Sequence, residues 1–293
     1  MTPRHTMRAA GDDPAIAPAA THASTPARAS AGNIRVPAAQ GDSAARLVLR
    51  LDDYDLDAFV ERAAGFGQDR YAYAVTPNVD HLIRLHEDAE FRSLYAQAGF
   101  VLLDSRFLSR LLRVGRGLGL PVCAGSDLVA RLFDGVIAAD DPLVLVGGSP
   151  QQAQLLATRH GLRRLAYHNP PMGFIHDPDA VEACLRFIEA HSPFRYCLLA
   201  IGSPQQEIIA RHLQARGRAR GLALCIGAAV DFITGSRRRA PRWMQRSGLE
   251  WLYRLLQEPA RLARRYLVRG PRVFALLPRT DIVLRPPAPQ QPG

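Results

Sequence analysis

Four apolar residues, Phe100 to Leu103, run straight into Asp104. A carboxylate at the end of such a run is expected half-buried at a sheet edge. There, burial raises its pKa and the nearby Arg106 lowers it. So placed, Asp104 can take the proton of a hydroxyl as that oxygen attacks an electrophilic carbon, a sugar anomeric carbon included. The structural alternative is an Asp that caps the helix after it. Two further apolar runs end in polar residues. Tyr71 to Val75 leads into Thr76-Pro77-Asn78, where Asn78 is equally suited to capping a helix. Tyr196 to Ile201 leads into Gly202-Ser203-Pro204-Gln205-Gln206-Glu207. Pro204 suits a first helical turn, which puts Gln206 and Glu207 at the same sheet edge as Asp104. Asp127, in Gly125-Ser126-Asp127, opens another helix as a cap or a substrate contact. Asp231 follows the last apolar run in a loop.

Other chemistries find weaker support. Asp53-Tyr54-Asp55 matches an Asp-x-Asp pattern that can hold a divalent metal, but acids ahead of a helix also satisfy free N–H groups and oppose the macrodipole. His168 and His176 have no Cys or His at ligand spacing, so no metal site is expected. The Leu143 to Val146 run enters Gly147-Gly148-Ser149-Pro150, a strand–loop–helix whose backbone N–H groups favour phosphate. It is neither Gly-x-Gly-x-x-Gly nor a P-loop, which argues against NAD and ATP chemistry. The four cysteines are scattered without Cys-x-x-Cys, as expected of reduced thiols in a cytosolic protein.

The elements that must position these residues are short apolar strands alternating with helices. Strands are predicted at Leu47–Leu51, Tyr71–Val75, Phe100–Leu103, Leu143–Val146, Leu165–Tyr167, Tyr196–Ile201 and Leu222–Ile226. One helix is expected from Val79 to about Ala98, with Val79, Leu82, Ile83 and Leu85 toward the core. The alternation predicts an α/β, Rossmann-like fold: a mostly parallel sheet with helices on both faces. Ligands of such sheets bind at the carboxyl ends of the strands, which is where the polar residues fall.

Charge singles out the C-terminal third. All 37 basic residues are arginines, and the net charge is +10. Between Ser236 and Arg279, 12 arginines face two acids, so this segment carries the whole excess. Leu249, Leu252, Leu255 and Leu256 fall on one helical face with Trp251 and Tyr253 nearby, and apolar residues continue to Leu277 among the arginines. Such a segment can lie on an anionic membrane, bind nucleic acid, or pack on the core. The aromatic and aliphatic interleaving favours a membrane surface, and nucleic acid is not the expected partner. An RNA-binding α/β protein using this segment is the alternative. No window offers the roughly 20 apolar residues of a spanning helix, and no apolar h-region reads as a secretory signal. Residues 1–45 are rich in Ala, Pro, Thr and Ser and are expected to be disordered. The remaining expected divisions are a core at 46–235, a basic amphipathic helical appendage at 236–279, and a disordered tail at 280–293.

The C-terminal run carries a family resemblance. Asp231-Phe232 and Gly235 precede Arg239-Ala240-Pro241 and Trp243. Gly248-Leu249-Glu250-Trp251, Arg254-Leu255 and Gln257-Glu258-Pro259 then lead into the basic segment. In this order they resemble the signature of the bacterial TagA/WecG/CpsF glycosyltransferases, glycosyltransferase family 26. The resemblance extends from about Leu47 to Leu277. It implies inverting transfer of a hexose or N-acetylhexosamine, N-acetylmannosamine or glucose, from a UDP-sugar to a polyprenyl-diphosphate-linked saccharide. It implies Asp104 as base, with Thr76, Asn78, Asp127, Gly202, Gln206, Glu207 and Asp231 around donor and nucleotide. Arginines such as Arg239, Arg242, Arg261 and Arg265 would meet the acceptor diphosphate or the membrane, and no metal cofactor is expected. Such an enzyme would sit peripherally on the inner face of the cytoplasmic membrane, as a monomer or a homo-oligomer. The chain departs from the family pattern at Ser105, where Gly is usual, near Val122, where Arg is usual, and at Gln205, which is often basic.

Overall fold

The computed structural model describes residues 34–36 and 46–287. The expected disorder of the rest of residues 1–45, and of the tail beyond 287, lies outside them. Nine strands alternate with helices among the described residues. They are β1 (Ile34–Val36), β2 (Leu47–Asp52), β3 (Tyr71–Val75), β4 (Phe100–Val101), β5 (Leu143–Val146), β6 (Leu165–His168), β7 (Tyr196–Leu199), β8 (Gly221–Cys225) and β9 (Thr280–Arg285). Between β2 and β5 come α1 (Leu56–Ala64), α2 (Val79–Glu87), α3 (Ala89–Ala96), α4 (Arg106–Arg116) and α5 (Gly125–Gly135). The later core helices are α6 (Pro150–His160), α7 (Pro178–Ala190), α8 (Gln205–Arg216) and α9 (Ala229–Ile233).

Six strands form one all-parallel sheet in the order β4-β3-β8-β7-β5-β6. Its strands alternate between two separate cores. Tyr73, Val75, Val144, Val146, Cys197 and Leu199 face one, beneath α2, α3, α4, α7 and α8. Ala74, Leu143, Leu145, Tyr196, Leu198 and Leu224 face the other, beneath α1, α5, α6 and α9. Both faces being covered explains why these strands read as unbroken apolar runs. The Rossmann-like expectation is met, and every strand of this sheet points its carboxyl end to the same edge.

Three expectations need correction. The first predicted core strand, β2, is not in this sheet. It pairs in parallel with β9, which also pairs antiparallel with β1. The chain at 280–285 is therefore a strand, not the start of a disordered tail, and 34–36 is a strand within the segment expected to be disordered. The small sheet is tied to the large one by Asp52, whose carboxylate accepts from Val101 N at 2.6 Å and pairs with Arg285 at 2.8 Å. Second, the single helix expected from Val79 is two, because Asp88 adopts extended backbone and its side chain accepts from Phe91 N, starting α3. Third, β4 is only two residues long. Leu102 N and Asp104 N still donate to Val75 O and Pro77 O, but Pro77 has no N–H to return the bond, so the ladder ends there.

The C-terminal segment is helical, as expected: α10 (Arg242–Arg246), α11 (Glu250–Gln257), α12 (Pro259–Ala263), a π-helical stretch Arg264–Arg269, and α13 (Arg272–Leu276). It belongs to the same compact unit as the core. Between α10 and α11, Gly248 has φ +73°, and a Cβ there would lie 3.3 Å from the Phe107 backbone. A left-handed turn this close to α4 suits glycine alone.

Candidate active site

A cleft of about 420 Å³ lies between the carboxyl edge of β3 and β4 and the C-terminal helices. The core contributes Asn78, Asp104, Arg106 and Phe107. The C-terminal segment contributes Glu250, Trp251, Arg254, Arg265, Tyr266 and Phe274.

Asp104 is half-buried on the core side of the cleft. Its Oδ1 accepts from Gly125 N at 2.9 Å, which fixes the carboxylate against the start of α5. Burial pushes its pKa above the ordinary carboxylate value. The Gly125 N–H, the Arg254 charge and the Asn78 side chain pull it back, and Glu250 pushes it up further. The helix after it is capped by Ser105, whose hydroxyl accepts from Leu108 N. Asp104 is thereby relieved of the capping role that the sequence left open. Arg106, expected to lower the Asp104 pKa, turns instead to Asp127 at 2.7 Å.

Asn78 does both jobs. Its side chain accepts from Asp80 N and His81 N, and it also reaches Asp104. Behind it a buried chain of groups crosses the sheet edge. His81 Nδ1 accepts from Asn78 N at 3.1 Å, so Nε2 carries the proton of the neutral ring. Nε2 lies 4.0 Å from the Glu207 carboxyl, beyond hydrogen-bond distance. Burial lowers the His81 pKa to about 3, and burial raises that of Glu207. Burial thus works against charge on both groups. Gln206 donates to Glu207 at 3.0 Å and accepts from Gly227 N at 2.9 Å.

The expected site residues thus divide. Asn78, Asp104 and Arg265 line one cleft. Gln206 and Glu207 are buried behind it, bracing α8 against β8 rather than facing the opening. Thr76 braces β3 against β8 through a 3.5 Å contact from its hydroxyl to Cys225 O. Gly202 turns the chain after β7 with φ +77°. Asp127 borders the cleft through its neighbour Ser126, and is held by Arg106 and Arg239, each at 2.7 Å. Burial raises its pKa, but the two arginines outweigh that and leave it below the ordinary value. Asp231 stands apart, on α9, taking Gln152 Nε2 at 2.8 Å and Arg237 at 3.0 Å beside the Gly147-Gly148-Ser149 loop. Arg242 is exposed, and Arg261 pairs with Glu258.

Many arginines of the basic segment face core acids rather than solvent. Arg237 bridges Asp231 and Glu258, Arg265 and Arg269 approach Asp80 at 3.6 and 3.7 Å, and Arg272 pairs with Glu87. The sequence reading missed Glu250 and Arg254 as cleft residues. They are an i,i+4 pair at 3.2 Å in the stretch Gly248 to Leu255, and that spacing was the available signal. The metal expectation can be placed as well. Asp55 accepts from Ala58 N at 2.9 Å and caps α1. Among the described residues, no group of three His, Cys, Asp or Glu could hold a metal ion, and no helix is long and apolar enough to cross a membrane.

Compared with known families, residues 45–285 match the model of the Glycosyl transferase WecG/TagA/CpsF family.

Proposed function

The chain belongs to the WecG/TagA/CpsF glycosyltransferase family, an assignment that spans more than half its length and makes it a glycosyltransferase of cell-surface polysaccharide biosynthesis; from that premise we propose that it transfers a hexose or N-acetylhexosamine from a UDP-sugar to a polyprenyl-diphosphate-linked saccharide, with inversion. The observation that carries this reading is Asp104 under the C-terminal helices, with its pKa raised by burial and Arg254 close by. In the proposed reaction, Asp104 takes the acceptor hydroxyl proton as that oxygen attacks the anomeric carbon in one displacement. The new glycosidic bond forms as the bond to UDP breaks. Negative charge then develops on the departing diphosphate, where arginines and helix-start N–H groups offset it without a metal.

The proposed seat of the donor nucleotide is the carboxyl edge of β5 and β8, a reading supported by Gln152, which links the Ser149 loop to Asp231 there. N-acetylmannosamine and glucose remain the two candidate sugars. The inner face of the cytoplasmic membrane is the proposed location. Among the described residues, five of the nine exposed large apolar residues, Trp243, Leu256, Leu267, Val268 and Phe274, belong to the C-terminal segment, which favours this location. Nucleic acid is disfavoured because so many of that segment's arginines already face core carboxylates.

Calorimetric titration of UDP in chelator, with GDP, ADP and NAD as controls, tests the donor class. Saturable binding of UDP alone is expected. Binding of none of the four, with lipid acceptor present, removes the proposed donor. Activity that a chelator abolishes would instead require a metal.

A further inference from the structure

A second cavity, of about 440 Å³, lies beside the small sheet and shares no lining residue with the cleft. Its walls are β2, the end of α2, α3 and Arg285 of β9. Four arginines line it, Arg46, Arg50, Arg92 and Arg285, and no Asp or Glu does among the described residues. Two of the four are compensated from behind. Arg46 pairs with Asp281 at 3.1 Å and Arg285 with Asp52 at 2.8 Å, and both carboxylates are buried. Arg50 and Arg92 are exposed and have no carboxylate partner among the described residues. Arg92 is nonetheless held in place, because its Nη1 donates to Leu85 O at 2.9 Å and His86 O at 3.3 Å, carbonyls that the end of α2 leaves open. His86, in the same wall, feels the positive field: burial first, then the charges of Arg92 and Arg279, lower its pKa. The floor beneath the cations is apolar, from Leu47, Leu49 and Leu85. The volume is that of a small-molecule site. Two uncompensated guanidinium groups match one dianion, whereas a monoanion leaves one of them unpaired. A phosphate monoester carries close to two negative charges at neutral pH, and its oxygens suit the guanidinium fork.

We propose that this cavity is a binding site for a small phosphate monoester with an apolar body, held between Arg50 and Arg92 and separate from the proposed donor and acceptor positions. The phosphate meets the two guanidinium groups, and the carbon body covers the leucine floor. The two sites share one helix. Asn78 and Asp80, at the start of α2, line the cleft, and Leu85 and His86, at its end, line this cavity.

Calorimetry on the full chain tests this with phenyl phosphate, inorganic phosphate and benzoate as probes. Phenyl phosphate is expected to bind at least about tenfold more tightly than inorganic phosphate, through its apolar body, and more tightly than the monoanion benzoate. Arg50→Ser and Arg92→Ser should each weaken phenyl phosphate by about tenfold, the loss of one charge-assisted contact. Arg50 makes no side-chain hydrogen bond among the described residues, so its removal leaves the fold intact. Arg113→Ser, at an exposed position outside the cavity, makes the same change of charge and should have no effect. Arg254→Ser, in the cleft, should also leave phenyl phosphate affinity unchanged. The proposal is overturned if phenyl phosphate does not bind, or binds no better than inorganic phosphate or benzoate. An equal loss on Arg113→Ser overturns it by showing general surface attraction, and a loss on Arg254→Ser in place of Arg50→Ser does so by moving the ligand to the cleft. UDP titrated into Arg50→Ser should bind as it does to the wild type, so failure of this site and failure of the donor reading are told apart.

Discussion

At the scale of single residues, the proposed chemistry turns on Asp104 as the base. Its carboxylate is the group whose protonation the cleft controls, through burial on one side and Gly125, Arg254 and Asn78 on the other. A base must be ionised to work, and this one has its pKa raised. Transfer is therefore expected to fall on acidification at a pH above the ordinary carboxylate value, and to be restored as pH rises through the Asp104 pKa. Asp104→Asn keeps the size and an acceptor oxygen for Gly125 N but cannot take a proton. It should lose about 10²- to 10⁴-fold in kcat with little change in UDP affinity. A pH–rate profile of kcat beside a UDP titration checks both, and a variant that retained wild-type kcat would exclude Asp104 as the base. The type of this residue and its place at a strand end were legible in the sequence. The identity of its partners was not, because Gly125, Asn78 and Arg254 lie 21, 26 and 150 positions away in the chain and meet it only through folding.

At the scale of elements, two of the sequence expectations failed for the same physical reason. Strands report how they are buried but not which neighbour they pair with. The run Leu47–Leu51 looks like any other strand, yet β2 pairs with β9 from the far end of the chain, with Leu49 opposite Ile282 and Asp52 opposite Arg285. Asp52 then anchors this small sheet to β4. Burial raises its pKa, against the pull of the Val101 N–H and Arg285. Asp52→Ala would leave Val101 N without its acceptor and Arg285 without its partner, at an expected cost of about 2 kcal/mol. Asp52→Asn, which keeps an acceptor, should recover part of it. Urea unfolding followed by circular dichroism reads this as a lower midpoint at unchanged slope. A wild-type midpoint in Asp52→Ala would show that the two sheets hold together without this link.

At the scale of the whole molecule, the basic C-terminal segment both roofs the cleft and presents a surface. Its arginines tie it down through Asp80, Glu87, Asp127 and Asp231, while Trp243, Leu256 and Val268 remain outside. Binding to vesicles containing anionic lipid is expected to exceed binding to zwitterionic ones, and to weaken as salt rises. Each cation near the surface contributes about 1 kcal/mol at low salt. Replacing Trp243 and Leu256 with Ser should weaken binding at every salt concentration. Sedimentation with vesicles at low and high salt measures both, and equal binding to the two vesicle types would show that the arginines serve only the internal contacts.

Sequence alone settled the class of fold, the sheet edge that carries the polar residues, the strand-end position of Asp104, and the helical character of the basic segment. Each of these is written in local pattern: an apolar run buried on both faces, a polar residue at its end, a helical period among arginines. The tertiary structure alone decided which polar residues share a cleft. It set Asn78, Asp104 and Arg265 together, turned Gln206 and Glu207 inward as a buried brace, and sent Asp231 to another part of the edge. It also added Glu250 and Arg254 from the roof. The physical reason is that a side chain's role depends on what it faces across space. A parallel sheet brings the ends of strands distant in sequence to one edge, and only the packing of the last helices on that edge determines which of those residues line the cleft.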